Sequence, residues 1–125
     1  MIVDTWAWIE LLKGSEIGKK VREFLLKEKC YTCITTFSEI VDWILKNNLK
    51  EKLDEYISNV KIASSTLDLN EDATILAGKL NYERKKIIKD WGMLDSFILA
   101  SAMINNLKIL TGDEHFKDLS NVTFL

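Results

Sequence analysis

The 125-residue chain contains no proline, one histidine, two cysteines and five glycines, and its 19 acidic residues barely outnumber its 17 basic ones. Each shortage removes a class of answer. With no proline, no Gly/Ser-rich stretch, no low-complexity segment and no internal repeat, nothing marks a linker. The chain therefore reads as one domain over residues 1–125, within the usual span of about 100–200 residues. No apolar run approaches the roughly 20 residues that a membrane-crossing helix needs, and the N-terminus lacks a basic-then-apolar signal pattern. The expectation is a cytoplasmic protein with no membrane partner.

A net charge of −2 supplies no global basic field with which to coat nucleic acid by phosphate neutralisation alone. A local patch remains available in Arg84, Lys85, Lys86 and Lys89, which reads either as a contact for an RNA backbone or as the solvated end of a helix. Cys30 and Cys33 form a lone C-x-x-C, but they sit in a β-like stretch, where residues three apart point to opposite faces. With no second pair for zinc and no strand-to-helix turn between them, they read as structural thiols. His115 lies in a polar turn, and nothing around it supports a Ser-His-Asp or Cys-His mechanism.

What the chain does have is alternation. Ile2-Val3 reads as a short strand, followed by helix over about 6–13, punctuation at Gly14-Ser15, and a second helix over about 16–27 with apolar residues at three- and four-residue spacing. A β-branched strand over 31–35 leads into helix over 38–45. Asn47-Asn48 breaks that helix, another runs over 49–58, and Val60 to Ala63 reads as the next strand. From Asn70, a plausible N-cap, helical spacing continues to about Lys86. In Met93 to Ile104 only Asp95, Ser96 and Ser101 are polar, which predicts a helix buried nearly all round. Residues 107–110 and 122–125 complete the strands. Strands alternating with long helices predict an α/β fold, a central mostly parallel sheet joined by right-handed crossovers with helices on both faces.

In such sheets ligands gather at the carboxyl ends of the strands, and four acids belong to that edge. Asp4 follows the first strand, Glu39 begins the helix after the second, Asp113 follows the strand ending at Leu110, and Asp95 opens a helix that runs back against the sheet. Each acid also reads singly as a helix cap. Thr36-Phe-Ser-Glu39 matches a capping box, and Asp4, Asp95 and Asp113 could each favour a helix dipole by roughly 0.3–1 kcal/mol. Capping does not explain why all four share one edge, or why Asp95 stands at the mouth of an apolar helix. Carboxylates about 4 Å apart repel by roughly 4 kcal/mol at an effective dielectric near 20, so something cationic must offset them. Hard oxygen ligands without cysteine or histidine select Mg²⁺ or Mn²⁺ over zinc. Such ions suit hydrolysis of a phosphodiester.

These residues resemble the PIN domains, and in particular the VapC-type toxins of prokaryotic toxin–antitoxin pairs, over the whole chain. Ile-Val-Asp4-Thr is similar to the family's first metal-ligand motif, and Ser-Glu39-Ile-Val to its second acidic position. Leu94-Asp95-Ser-Phe-Ile-Leu-Ala-Ser-Ala102 resembles the third, and Thr111-Gly-Asp113-Glu-His-Phe116 the fourth, T-x-D-x-x-F. The resemblance implies a Mg²⁺- or Mn²⁺-dependent endoribonuclease acting on RNA, a homodimer, and an antitoxin protein that covers the site. By that likeness Asp4, Asp95 and Asp113 ligate metal, Glu39 ligates metal or positions the attacking water, and Thr111 orients its loop. The Trp91-Gly92-Met93 approach to Asp95 matches no subfamily pattern, which leaves the RNA target open.

Two rivals follow from the same residues: a PIN nuclease of RNA processing, and a catalytically inactive PIN-like scaffold for protein interaction. A phosphatase with an aspartyl nucleophile is disfavoured, because Asp4-Thr-Trp lacks a second aspartate two residues on. Four tryptophans exceed what a small core usually needs. Trp8 and Trp43 read as core, and Trp6 and Trp91 supply candidates for a partner-facing surface.

Overall fold

The computed structural model describes residues 1–125. The first strand, β1 (Ile2–Val3), leads into α1 (Thr5–Lys13) and α2 (Glu16–Lys27), and β2 (Tyr31–Cys33) is followed by α3 (Thr36–Lys46) and α4 (Leu53–Ala63). Then come β3 (Ser65–Leu67), α5 (Glu71–Lys85), α6 (Met93–Ile104), β4 (Ile109–Thr111) and β5 (Val122–Phe124). The sheet order is β3-β2-β1-β4-β5, and every pairing in it is parallel. The expected α/β class is thus observed, with a sheet that is parallel throughout.

Alternation along the strands divides the interior into two cores. Val3 and Leu110 join Ala7, Trp8, Val21, Ile40, Ile44 and Val60 under α1 to α4. Their chain neighbours Ile2 and Ile109 turn the other way, joining Trp91, Ile98, Leu99, Ala102 and Phe116 under α5 and α6. The two cysteines obey the same rule: Cys30 belongs to the first core and Cys33 to the second, and both thiols are free and buried. Helices therefore cover both faces.

Several helix ends follow from local chemistry. Ser15 Oγ accepts the backbone N–H of Gly18 at 3.0 Å, and Asn70 Oδ1 accepts that of Ala73 at 2.8 Å; each satisfies a donor that the first turn leaves without an intrahelical partner. Helix α1 stops at Gly14, whose left-handed backbone (φ 71°) suits a residue without a side chain.

Four expectations are corrected. Val60 to Ala63 is the last turn of α4, with Val60 fully buried, and the strand lies beyond it at Ser65–Leu67. Residues at 49–52 form a short 3-10 turn (Lys50–Lys52) before α4. Helix α6 is not enclosed all round: Ile98 to Ala102 are buried, but Met93, Leu94, Met103 and Ile104 at its two ends are exposed. The apolar composition reflects a buried middle, and the ends emerge from under α5 and the sheet. Trp91, a candidate for a partner surface, is 1% exposed and packs on Phe116, whereas Trp6 and Trp43 are half-buried against the first core.

Candidate metal centre at the carboxyl edge of the sheet

The chain builds β1, β2 and β3 outward on one side and then returns through α5 and α6 to place β4 against the other side of β1. That reversal is the topological switch point, where the loops leaving β1 and β4 part and leave a crevice. Asp4 follows β1, and Thr111 to Asp113 leave β4. All four acids meet there closely enough to act on one another electrostatically: Asp4 feels Glu39, Asp95 and Asp113, and Glu39 feels Asp95 and Asp113.

Asp4 is 4% exposed. Burial, reinforced by the charges of Glu39, Asp95 and Asp113, pushes its carboxyl up to about 7, although the hydroxyl of Thr111 opposes this. That hydroxyl donates to Asp4 Oδ2 at 2.8 Å and accepts the backbone N–H of Asp113 at 3.0 Å. Thr111 therefore ties one acid's side chain to another acid's backbone across 107 residues of sequence. Its expected role as an orienting residue has a concrete geometry.

Glu39 is held from the opposite side. Thr5 Oγ1 donates to its Oε1 at 2.7 Å, and the carboxyl is raised chiefly by burial and then by Asp95 and Asp113, against the Thr5 bond. The expected capping box is absent: α3 has Thr35 at its N-cap with no side-chain cap bond, because Glu39 is turned toward Thr5. Thr5, the first residue of α1, carried no signal in the sequence beyond its place directly after Asp4.

The other two acids do cap, and so carry both readings at once. Asp95 Oδ2 accepts the N–H of Gly92 at 3.0 Å, and Asp113 Oδ1 accepts that of His115 at 3.0 Å. Burial nonetheless raises Asp95, helped by Asp113 and opposed by the Gly92 bond and by His115. His115, which its local sequence gave no reason to single out, places Nδ1 2.9 Å from Asp113 Oδ1. No lysine or arginine pairs with any of the four acids.

No three of these side chains stand close enough to enclose an ion without moving. Their chemistry nevertheless fits a hard divalent cation: all the donors are carboxylate oxygens, they repel one another, and burial, reinforced by that repulsion, makes three of them hold protons more tightly than ordinary carboxyls. The residues able to hold it are Asp4, Asp95 and Asp113, with Glu39 beside them.

A profile of the PIN domain matches residues 1–122. The chain belongs to the PIN domain family. Among curated proteins no sequence matches it. Solved structures share the fold over nearly the whole chain. VapBC2 from Rickettsia felis, bound to a DNA fragment from its promoter, aligns with a TM-score of 0.77 at 16% identity, covering 99% of this chain and 96% of that one. DNA-bound VapBC from Salmonella typhimurium gives 0.76 at 17%, covering 99% and 95%, and a toxin–antitoxin complex from Klebsiella pneumoniae gives 0.74 at 18%, covering 98% and 94%.

Within this PIN domain the basic patch proves divided. Arg84 is 6% exposed. Its guanidinium makes two bonds to Asp118 at 2.7 and 2.9 Å and one to the carbonyl of His115 at 2.7 Å, and it lies 4.5 Å from the Trp91 ring centroid. It is not available to an RNA backbone, which corrects the expectation for that residue. Lys86 leans over Tyr82 and pairs with Glu83; Lys85 and Lys89 are exposed without a pairing partner. The largest groove of the domain, about 640 Å³ between α1, α2 and α4, contains none of the four acids. The acid edge is marked by its chemistry and not by its depth.

Proposed function

We propose that this PIN domain is a Mg²⁺- or Mn²⁺-dependent endoribonuclease that hydrolyses RNA phosphodiesters in the cytoplasm, and that it is the toxin of a VapBC-type pair, restrained by an antitoxin protein. The observation that carries the hydrolytic reading is four acids gathered at the switch point with no lysine or arginine to neutralise them. PIN domains are in general divalent-metal-dependent nucleases, and the structural neighbours named above are toxin–antitoxin assemblies, which supports the finer assignment.

When bound, the cation supplies Lewis acidity toward the scissile phosphate and a more acidic water. Asp4, Asp95 and Asp113 are the residues to hold it. Glu39 has Oε1 occupied by Thr5, which leaves Oε2 to accept a proton from the attacking water. Its raised proton affinity suits a general base better than an ordinary carboxylate would. Thr111 keeps Asp4 and the Asp113 turn in register. Lys85 and Lys89, exposed at the end of α5 and just beyond it, are the groups of the patch left to meet RNA phosphates, and a second copy of the chain would complete a homodimer.

The test is cleavage of mixed RNA by purified protein with Mn²⁺ or Mg²⁺, run against a chelator and against Asp95→Asn, which keeps an oxygen to accept the Gly92 N–H. Metal-dependent cutting that falls by about a hundredfold or more in the variant is the expected result. No cutting by folded, inhibitor-free protein with either metal would favour the inactive scaffold.

A further inference from the structure

Trp6 stands two residues after Asp4, in the first turn of α1, and its indole reaches across to the turn that leaves β4. A Cβ placed on Gly112 would lie 2.5 Å from both Cη2 and Cζ3 of that ring and 3.1 Å from Cζ2. Real side chains do not tolerate the first two contacts. Nor does the backbone demand glycine at this position, since the only glycine with a positive φ is Gly14. The absence of a side chain at 112 is therefore explained by the indole alone.

The flanking residues make the contact consequential. Gly112 sits between Thr111, whose hydroxyl holds Asp4 and the Asp113 N–H, and Asp113 itself. The turn is thus fastened at two points of different character. On one side is a polar tie through Thr111, which sets direction but can swing about its bonds. On the other is a flat apolar wall, which sets distance. Trp6 is half-buried and packs on the core beneath α1, so the wall is backed by the same helix that begins immediately after Asp4. Helix α1 thereby places the first acid directly and the fourth acid through the indole.

We propose that Trp6 is a positioning residue of the acid site, its ring laid against Gly112 to fix the spacing between Asp4 and Asp113. This rests on reading the site as a divalent-metal centre. Groups that orient metal ligands from behind typically govern metal affinity by about 10- to 100-fold, and a wall acts in both directions. Removing it by Trp6→Ala frees the turn to drift, and adding a methyl group by Gly112→Ala pushes the turn off the ring. Each change alone weakens metal binding. Made together, they partly cancel, because the methyl group enters space that the indole has vacated; residues in contact are expected to depart from additivity in this way.

The experiment is calorimetric titration of Mn²⁺ into the folded wild-type protein, Asp95→Asn, Trp6→Ala, Gly112→Ala and the double variant, with a thermal melt of each. The expected result is Mn²⁺ binding lost in Asp95→Asn, weakened about tenfold or more in each of the Trp6 and Gly112 single variants, and recovered toward wild type in the double variant. Should Trp6→Ala fail to fold, Trp6→Leu and Gly112→Ala carry the same test. Wild-type affinity in both single variants, or losses that simply add in the double, overturns the proposal while leaving the metal site standing. If the wild type itself takes up no Mn²⁺, the metal reading fails and the proposal falls with it.

Discussion

Two charged side chains in this domain, those of Arg84 and Asp4, are almost wholly removed from water, and their surroundings are built on opposite plans. Around Arg84 every requirement but one is met: Asp118 neutralises the guanidinium with two bonds, a carbonyl takes a third, and Trp91 covers its face. Only Nε lacks a partner. Around Asp4 the plan is reversed: like charges gather, no lysine or arginine pairs with them, and apart from the His115 imidazole beside Asp113 the nearest donors are hydroxyls and backbone N–H groups that orient the carboxyls without neutralising them. A buried charge kept for structure is paired. One left unpaired costs stability, which is the trade-off expected of a functional site.

The contrast can be broken most forcefully at its satisfied member. Arg84→Ala removes three hydrogen bonds and the cover over Trp91, and the cost is expected to be about 3 kcal/mol, read as a fall of about 10 °C in the melting midpoint. A change within error would mean that the Arg84 cluster does not hold the α5 end to the Asp118 loop.

The unsatisfied member should respond to pH in the direction opposite to most carboxylates. Asp4 holds its proton up to about 7 in the folded protein and releases it near its ordinary value of about 3.9 when unfolded. The folded state therefore binds more protons between these values. Its contribution to stability is full at low pH, begins to decline as pH rises past about 4, and is gone once pH has passed about 7. Metal-free protein should thus lose roughly 2–3 kcal/mol between pH 5 and pH 8 from this group. Asp4→Asn, which retains an oxygen for the Thr111 hydroxyl, should flatten the profile and melt higher than wild type at pH 8. Saturating Mn²⁺ should stabilise wild type at pH 8 by about 2–3 kcal/mol when present at a hundred times its Kd, and should do nothing for the variant. Chemical denaturation across this pH range, with and without metal, checks all three.

The smallest effect sharpens the comparison from outside it. Lys85→Gln and Lys89→Gln alter exposed residues with no pairing partner, so each should change stability by less than about 0.5 kcal/mol. In the RNA assay the same substitutions should raise KM at low salt and leave kcat alone; equal KM values would remove the patch from substrate binding altogether.

The same contrast governs what the amino-acid sequence makes legible. Helix α2 was legible because its signals are local, the Gly14-Ser15 punctuation before it and apolar residues at three- and four-residue spacing. The four acids were legible as a set because each follows a strand or opens a helix, and topology brings those points together. Arg84 was misread for the reason that helps elsewhere: Arg84-Lys85-Lys86 is a run in sequence, but consecutive helical residues are turned about 100° from one another, so one member goes inward. The capping-box alternative for Glu39 fails because the donor that claims Glu39 is Thr5, 34 residues earlier. Strand β3 was hidden because Ser65-Thr66 is exposed at the sheet's edge and lacks the apolar signature that Val60 to Ala63 carries into a helix instead.

The placement of β4 between β1 and β5 has a consequence in time. The tie from Thr111 to Asp4 joins residues separated by 107 positions, and no shorter stretch of chain contains both. A nascent chain emerging from the ribosome presents Asp4 and Glu39 well before Thr111 and Asp113 exist, with Asp95 only shortly ahead of them. The acid set, and the tie that orients Asp4, are complete only once the last strands have been synthesised.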